Sequence, residues 1–138
     1  MAYHMSANLA HSAVAGAVSG LGGMALYGHL YVNARGTVIP VSVLLGLGGA
    51  LGMFITNLTH DMIFPALHIT ERLSAPITTT LNIGGNAVAQ AIIISLANQS
   101  AFRDLDKLKL LAEAGGAVII SDFLYSKYIA PMMGLEQH

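Results

Sequence analysis

This chain of 138 residues has very little charge: Asp, Glu, Lys and Arg together make up 9% of it, where a soluble domain carries about 25%. The deficit is concentrated in long runs. None of the four residue types occurs between Met1 and Ala34, between Gly36 and His60, or between Leu73 and Phe102. Each run exceeds the roughly 20 residues that a helix needs to cross a hydrocarbon layer of about 30 Å. Cysteine is absent, which excludes disulfides, thiolate metal centres and thiol nucleophiles. A net charge of −1 with no basic tract argues against nucleic acid as a partner. There is no Gly-x-Ser-x-Gly turn, and the glycine pairs are not followed by the Lys and Ser/Thr of a phosphate-binding loop. Nothing points to an enzyme, and no cofactor or metal is expected. Met1 to Ala10 offers only His4 beside the terminal amine, so no cleavable leader is expected, nor is a lipid anchor.

What remains is an all-α, polytopic membrane domain occupying residues 1–138, with four transmembrane helices. The sequence places them at about 10–32, 38–65, 76–97 and 110–133. The first ends in Tyr27, His29 and Tyr31, side chains suited to a headgroup layer. Asn33 to Gly36 is a short polar turn. Pro76 sits where a missing N–H costs little, in the first turn of the third segment. The charged stretch 102–110 reads as an amphipathic lead-in at the interface. With four spans, Arg35, Arg103, Lys107 and Lys109 share one side against Arg72 and Lys127 on the other. That excess puts both turns on the cytoplasmic face.

Fifteen glycines in such a chain need a reason, because glycine weakens a helix by about 1 kcal/mol relative to alanine. Each segment carries a pair: Gly22-Gly23, Gly48-Gly49, Gly84-Gly85 and Gly115-Gly116. Aligning the pairs matches segment one to three and two to four, as a duplicated helical hairpin would. In lipid, small residues four apart form a strip on which a neighbouring backbone rests. Ser12, Gly16 and Gly20 make one such strip, and Ser42, Gly46 and Ala50 another. Gly48, Gly52 and Thr56 make a third, followed by Gly85 with Ala89 and Ala112 with Gly116. These strips predict tight helix packing, either within one chain or between copies in an oligomer.

Asn82, Asn86 and Gln90 lie four apart and share one helix face, as amide glue between helices or as the wall of a hydrated pathway. Asp122 falls near the middle of the fourth segment, where a charge costs at least about 2.5–3.5 kcal/mol. It is either a buried acid bonded to an amide of the third segment, or a sign that the fourth segment does not fully cross. Glu113 and Lys127 would mark the same half-interfacial helix. His60, Asp61, His68 and Glu71 fit no familiar metal spacing and read as an interfacial loop. Arg103, Lys107, Lys109, Tyr125, Lys127 and Tyr128 are the expected contacts to partner proteins.

The stretch from Gly115-Gly-Ala-Val through Ser121-Asp-Phe-Leu-Tyr125 to Pro131-Met-Met133 resembles short polytopic membrane proteins of large icosahedral DNA viruses that have an internal membrane. The resemblance implies a virion structural role, as a minor protein joining the inner membrane to the capsid, with the bilayer and other membrane or capsid-type proteins as partners. The expected function is therefore non-enzymatic assembly of a larger membrane-associated particle. The alternatives are a small oligomeric pore or proton pathway of the lysis-protein kind, and an accessory subunit of a membrane complex.

Overall fold

The computed structural model describes residues 5–28, 30–63, 66 and 75–132, with the backbone alone at Ala75 and Pro76. His29, Pro65, His68, Glu71, Arg72 and Met133 lie outside the described residues. The chain is mostly helical. Helix α1 runs Met5–Tyr27, and α2 runs Val41–Leu58 with a π-helical extension Thr59–Ile63. Helix α3 covers Ala75–Ala97, and a short α4 covers Gln99–Asp104. Helix α5 covers Lys107–Leu124 and continues through a π turn, Tyr125–Ile129, into Ala130–Met132. Three helices are long and apolar enough to cross a membrane: Met5–Tyr27, Val41–Ile63 and Ile77–Ala97.

The four long helices close a ring in which α1 packs on α2 and α5, and α3 packs on α2 and α5. Neighbours run antiparallel. On the α1–α2 seam Gly16 meets Gly46 and Ala50, while Gly23 meets Ser42. On the α2–α3 seam Gly48 meets Gln90 and Gly52 meets Asn86. Along the α1–α5 seam, His11 lies against Asp122 near one end and the Tyr27 hydroxyl donates to the Asp106 carbonyl at the other. Helix α5 therefore stands beside α1 over nearly its whole length.

The joint between α1 and α2 departs from the all-α expectation. Helix α1 stops at Tyr27, not near residue 32, because Gly28 turns left-handed (φ 59°) and its N–H closes on Met24 O at 2.9 Å. The chain then forms strands β1, Tyr31–Ala34, and β2, Thr37–Pro40, paired antiparallel from Tyr31 opposite Pro40 to Ala34 opposite Thr37. Arg35 (φ 53°) and Gly36 (φ 90°) supply the two left-handed positions that a tight hairpin requires. The Gly36 N–H donates to Asn33 Oδ1 at 2.8 Å, within the polar turn expected there. Helix α2 accordingly begins at Val41, whose N–H is held by Leu30 O, and not at residue 38.

The stretch 102–110 is likewise not one amphipathic lead-in. It breaks at Leu105. Asp106 caps α5 by accepting from the backbone N–H groups of Leu108 and Lys109 at 2.9 and 3.2 Å, a carboxylate where the helix dipole favours one. Lys107 folds back and donates to the carbonyls of Phe102, Arg103 and Leu105, closing the end of α4. Beneath the hairpin and α4 lies a cluster of buried apolar side chains: Val32, Val41, Leu44, Leu45, Ile94, Leu105 and Leu110. Asn98 ties the layer together, capping α4 through Ala101 N–H and donating to Asn33 O at 2.9 Å.

Candidate functional site

The connector end of the bundle is packed with hydrocarbon, whereas its middle and opposite end also bury polar side chains. In the middle, Gln90 of α3 and Glu113 of α5 face each other across the interior. Gln90 Nε2 donates to Glu113 Oε2 at 2.7 Å and to Leu45 O at 3.2 Å. Glu113 is 3% exposed and Gln90 fully buried. Glu113 Oε1 and Gln90 Oε1 have no hydrogen-bond partner among the described residues, and neither do Ser19 Oγ or the side-chain amide of Asn86. Uncompensated polar atoms in a low-dielectric interior are costly and mark sites where a proton, water or ligand can be received.

Glycines create the room for these groups. A Cβ on Gly48 would stand 2.6 Å from Gln90 Cα and Cγ, and one on Gly52 would stand 2.9 Å from Asn86 Oδ1. A Cβ on Gly49 would collide with the Ser19 hydroxyl, and one on Gly22 would come within 3.0 Å of Glu113 Oε1. Each of these polar side chains sits in the notch left by a missing one. Gly16, Gly20 and Gly46 instead bring the α1 and α2 backbones together, and Gly23 receives Leu45 and Ser42. A Cβ on Gly85 would stand 2.7 Å from the Thr56 methyl. Among the described residues, a Cβ on Gly84 or Gly116 would meet nothing within 4 Å, and one on Gly115 would lie 3.9 Å from the Ile83 side chain.

The second cluster lies about 14 Å from Glu113 along α5, nine residues at 1.5 Å each. His11 Nε2 and Asp122 Oδ1 are 2.8 Å apart. Asn57 Nδ2 lies 3.2 Å from His11 Nδ1 and donates to Asn8 Oδ1 at 2.9 Å. Both contacts of the imidazole are satisfied when Asn57 donates to Nδ1 and the Nε2–H points at Asp122. Asn8 Nδ2 reaches Phe54 O at 3.2 Å, and Tyr125 stacks on the His11 ring with centroids 4.3 Å apart. The Ser12 hydroxyl donates to Asn8 Oδ1 at 3.3 Å.

One of the two sequence readings of Asp122 bonds it to an amide of the third segment; the structure gives that arrangement to Glu113 and sets Asp122 against His11 of α1 instead. Of the amide face, Gln90 reaches Glu113, Asn82 Oδ1 lies 3.3 Å from His60 Nε2, and Asn86 is buried against Gly52. Asp61 is exposed, and no group of three His, Asp or Glu among the described residues is placed to hold a metal ion. The expected partner contacts divide. Arg103, Lys107, Lys109, Lys127 and Tyr128 are exposed, with Lys107 also closing the end of α4, whereas Tyr125 is half-buried and packs on His11. Asn8, His11, Ser19 and Asn57 carry no motif in the sequence. Glu113 had a signal: it begins the row Glu113, Ala117 and Ser121, opposite the outward Leu111, Ile119 and Ile120.

Comparison with protein-family models, curated proteins and solved structures finds no match to this chain.

Proposed function

We propose that the chain is an integral membrane protein whose four long helices all cross the bilayer and which works by assembly, as a structural subunit of a larger membrane-associated particle. One observation carries the fourth span. The charges that lower the hydropathy of α5 either turn into the bundle or sit at its ends. Glu113 is buried and Asp122 faces His11, while Lys107 and Lys109 stand in the first turn and Lys127 in the π turn near the far end. The outward face between them is Leu108, Leu111, Ile119, Ile120 and Phe123, all exposed and all apolar. Similar exposed apolar residues, such as Leu21, Leu47 and Val88, cover the other three helices. An exterior of this kind needs lipid or protein around it.

The connector end supports the assembly reading. The hairpin, the capped α4 and the first turn of α5 present Arg35, Arg103, Asp104 and Lys109 on a layer outside the apolar span, a surface suited to a non-membrane partner. A place in a virion inner membrane beneath a capsid is the specific form of this proposal. Cross-linking in the native particle should join the 99–109 layer or the Lys127–Tyr128 end to a second polypeptide. Recovery of the chain solely as an uncross-linked monomer would sink it.

A second reading, a proton or ion pathway, draws on the polar interior. From His11, Asn57 and Asn82 at one end, polar groups continue through Asn86 and Ser19 to Gln90 and Glu113. An intramembrane carboxyl is a functional candidate by default. Purified protein in liposomes should then carry a proton flux that Glu113→Gln abolishes; silent wild-type liposomes would dismiss this reading.

A further inference from the structure

Between α1 and α5 the packing opens into a groove of about 420 Å³, within the range of roughly 300–1,000 Å³ usual for small-molecule sites. Val18, Leu21 and Leu26 form one wall, and Ala117, Ile120 and Leu124 the other. Leu21 and Ile120 are exposed, so the groove opens on the outer surface of the bundle. Its volume exists because Gly22 and Gly116 have no side chains; no described residue comes within 4 Å of where a Cβ on Gly116 would stand.

Among the described residues, the polar side chain on this apolar surface is Glu113. Its Oε2 is held by Gln90, while its Oε1, without a partner among the described residues, lies directly behind Gly22. A hydrocarbon chain filling the groove would leave that oxygen unmatched. The missing component is a hydrogen-bond donor, preferably positive, attached to a compact apolar body.

We propose that the α1–α5 groove is a binding site for a hydrophobic ammonium: the apolar body lies between Leu21 and Ile120, and its N–H donates to Glu113. Because the groove lies within a single chain, this site is independent of the assembly reading. The probe is 1-adamantylamine, with 1-adamantanol as its neutral isostere, titrated by calorimetry onto protein in phosphatidylcholine nanodiscs. The amine should bind about tenfold or more tightly than the alcohol, the margin of a charge-assisted contact in a dry site. Glu113→Gln should bring the two affinities together, and Gly116→Leu, which fills the groove, should abolish both. Gly84→Leu, an equally open glycine outside the groove, should change neither. Equal affinity of amine and alcohol for the wild type would overturn the site. So would undiminished amine binding in Gly116→Leu, which tests the proposal even if Glu113→Gln fails to fold.

Discussion

Gln90 of α3 donates to Glu113 of α5 across the centre of the bundle at 2.7 Å, with Gly48 of α2 directly behind the Gln90 backbone. Three helices thus meet at one hydrogen bond, and its members are interdependent. Gln90→Leu leaves both Glu113 oxygens unmatched and should cost about 1–3 kcal/mol. In the double-mutant cycle with Glu113→Leu, the coupling should fall between about 0.6 and 2 kcal/mol, the span found for interhelical hydrogen bonds in membranes. Denaturant titration in mixed micelles measures it, and additive single mutants would remove the bond from the account.

The glycines should separate into two classes. Gly48→Ala drives a methyl into the α3 backbone at 2.6 Å, and overpacking of this kind costs about 1–3 kcal/mol. Gly84→Ala meets no described residue within 4 Å and should stabilise by up to about 1 kcal/mol through helix propensity alone. Thermal unfolding of the two variants side by side tests the contrast. The same sign for both would mean that α2 and α3 are not in this register.

The fourth span is open to a labelling test, made clean by the absence of native cysteine. Ile119→Cys and Ile120→Cys should resist a membrane-impermeant maleimide in proteoliposomes and react once detergent is added. Lys109→Cys, in the first turn of α5, should react in intact vesicles when its side faces out. Ready labelling at both 119 and 120 in intact vesicles would place α5 in water.

Asn98→Ala removes the α4 cap and the tether to Asn33 together, and should cost about 1–2 kcal/mol. Loss of the tether should also raise hydrogen-exchange rates at the β1–β2 amides with little effect in the α1–α2 seam. Unchanged exchange in the hairpin would show that the apolar layer alone fixes it.

The charge-free runs made the three apolar helices legible, and Gly16, Gly20, Gly46 and Ala50 lie where α1 and α2 meet. The hairpin was hidden because Tyr31-Val and Val38-Ile39 continue the apolar character of the helices on either side. Arg35-Gly36 between β-branched residues was the available signal. The site was less legible, for a different reason. His11 finds Asp122 across 111 residues of sequence, a pairing set by how the helices close into a ring and not by any local pattern. Glu113 sits among the charges opening α5 and reads as interfacial until the inward row of Ala117 and Ser121 is traced on a helix.

The tight β1–β2 turn also bears on the order in which the molecule is made. Two residues connect the strands that join α1 to α2, so these helices can close early, with little loop entropy to overcome. A nascent chain ending near residue 60 would already hold its first helical pair, locked along Gly16 and Gly46. Gly48 and Gly52 would still be vacant sockets, and the later arrival of Gln90 and Asn86 from α3 would decide whether the second half docks in register. Errors of synthesis or insertion should therefore accumulate at that late docking step, not in the first hairpin.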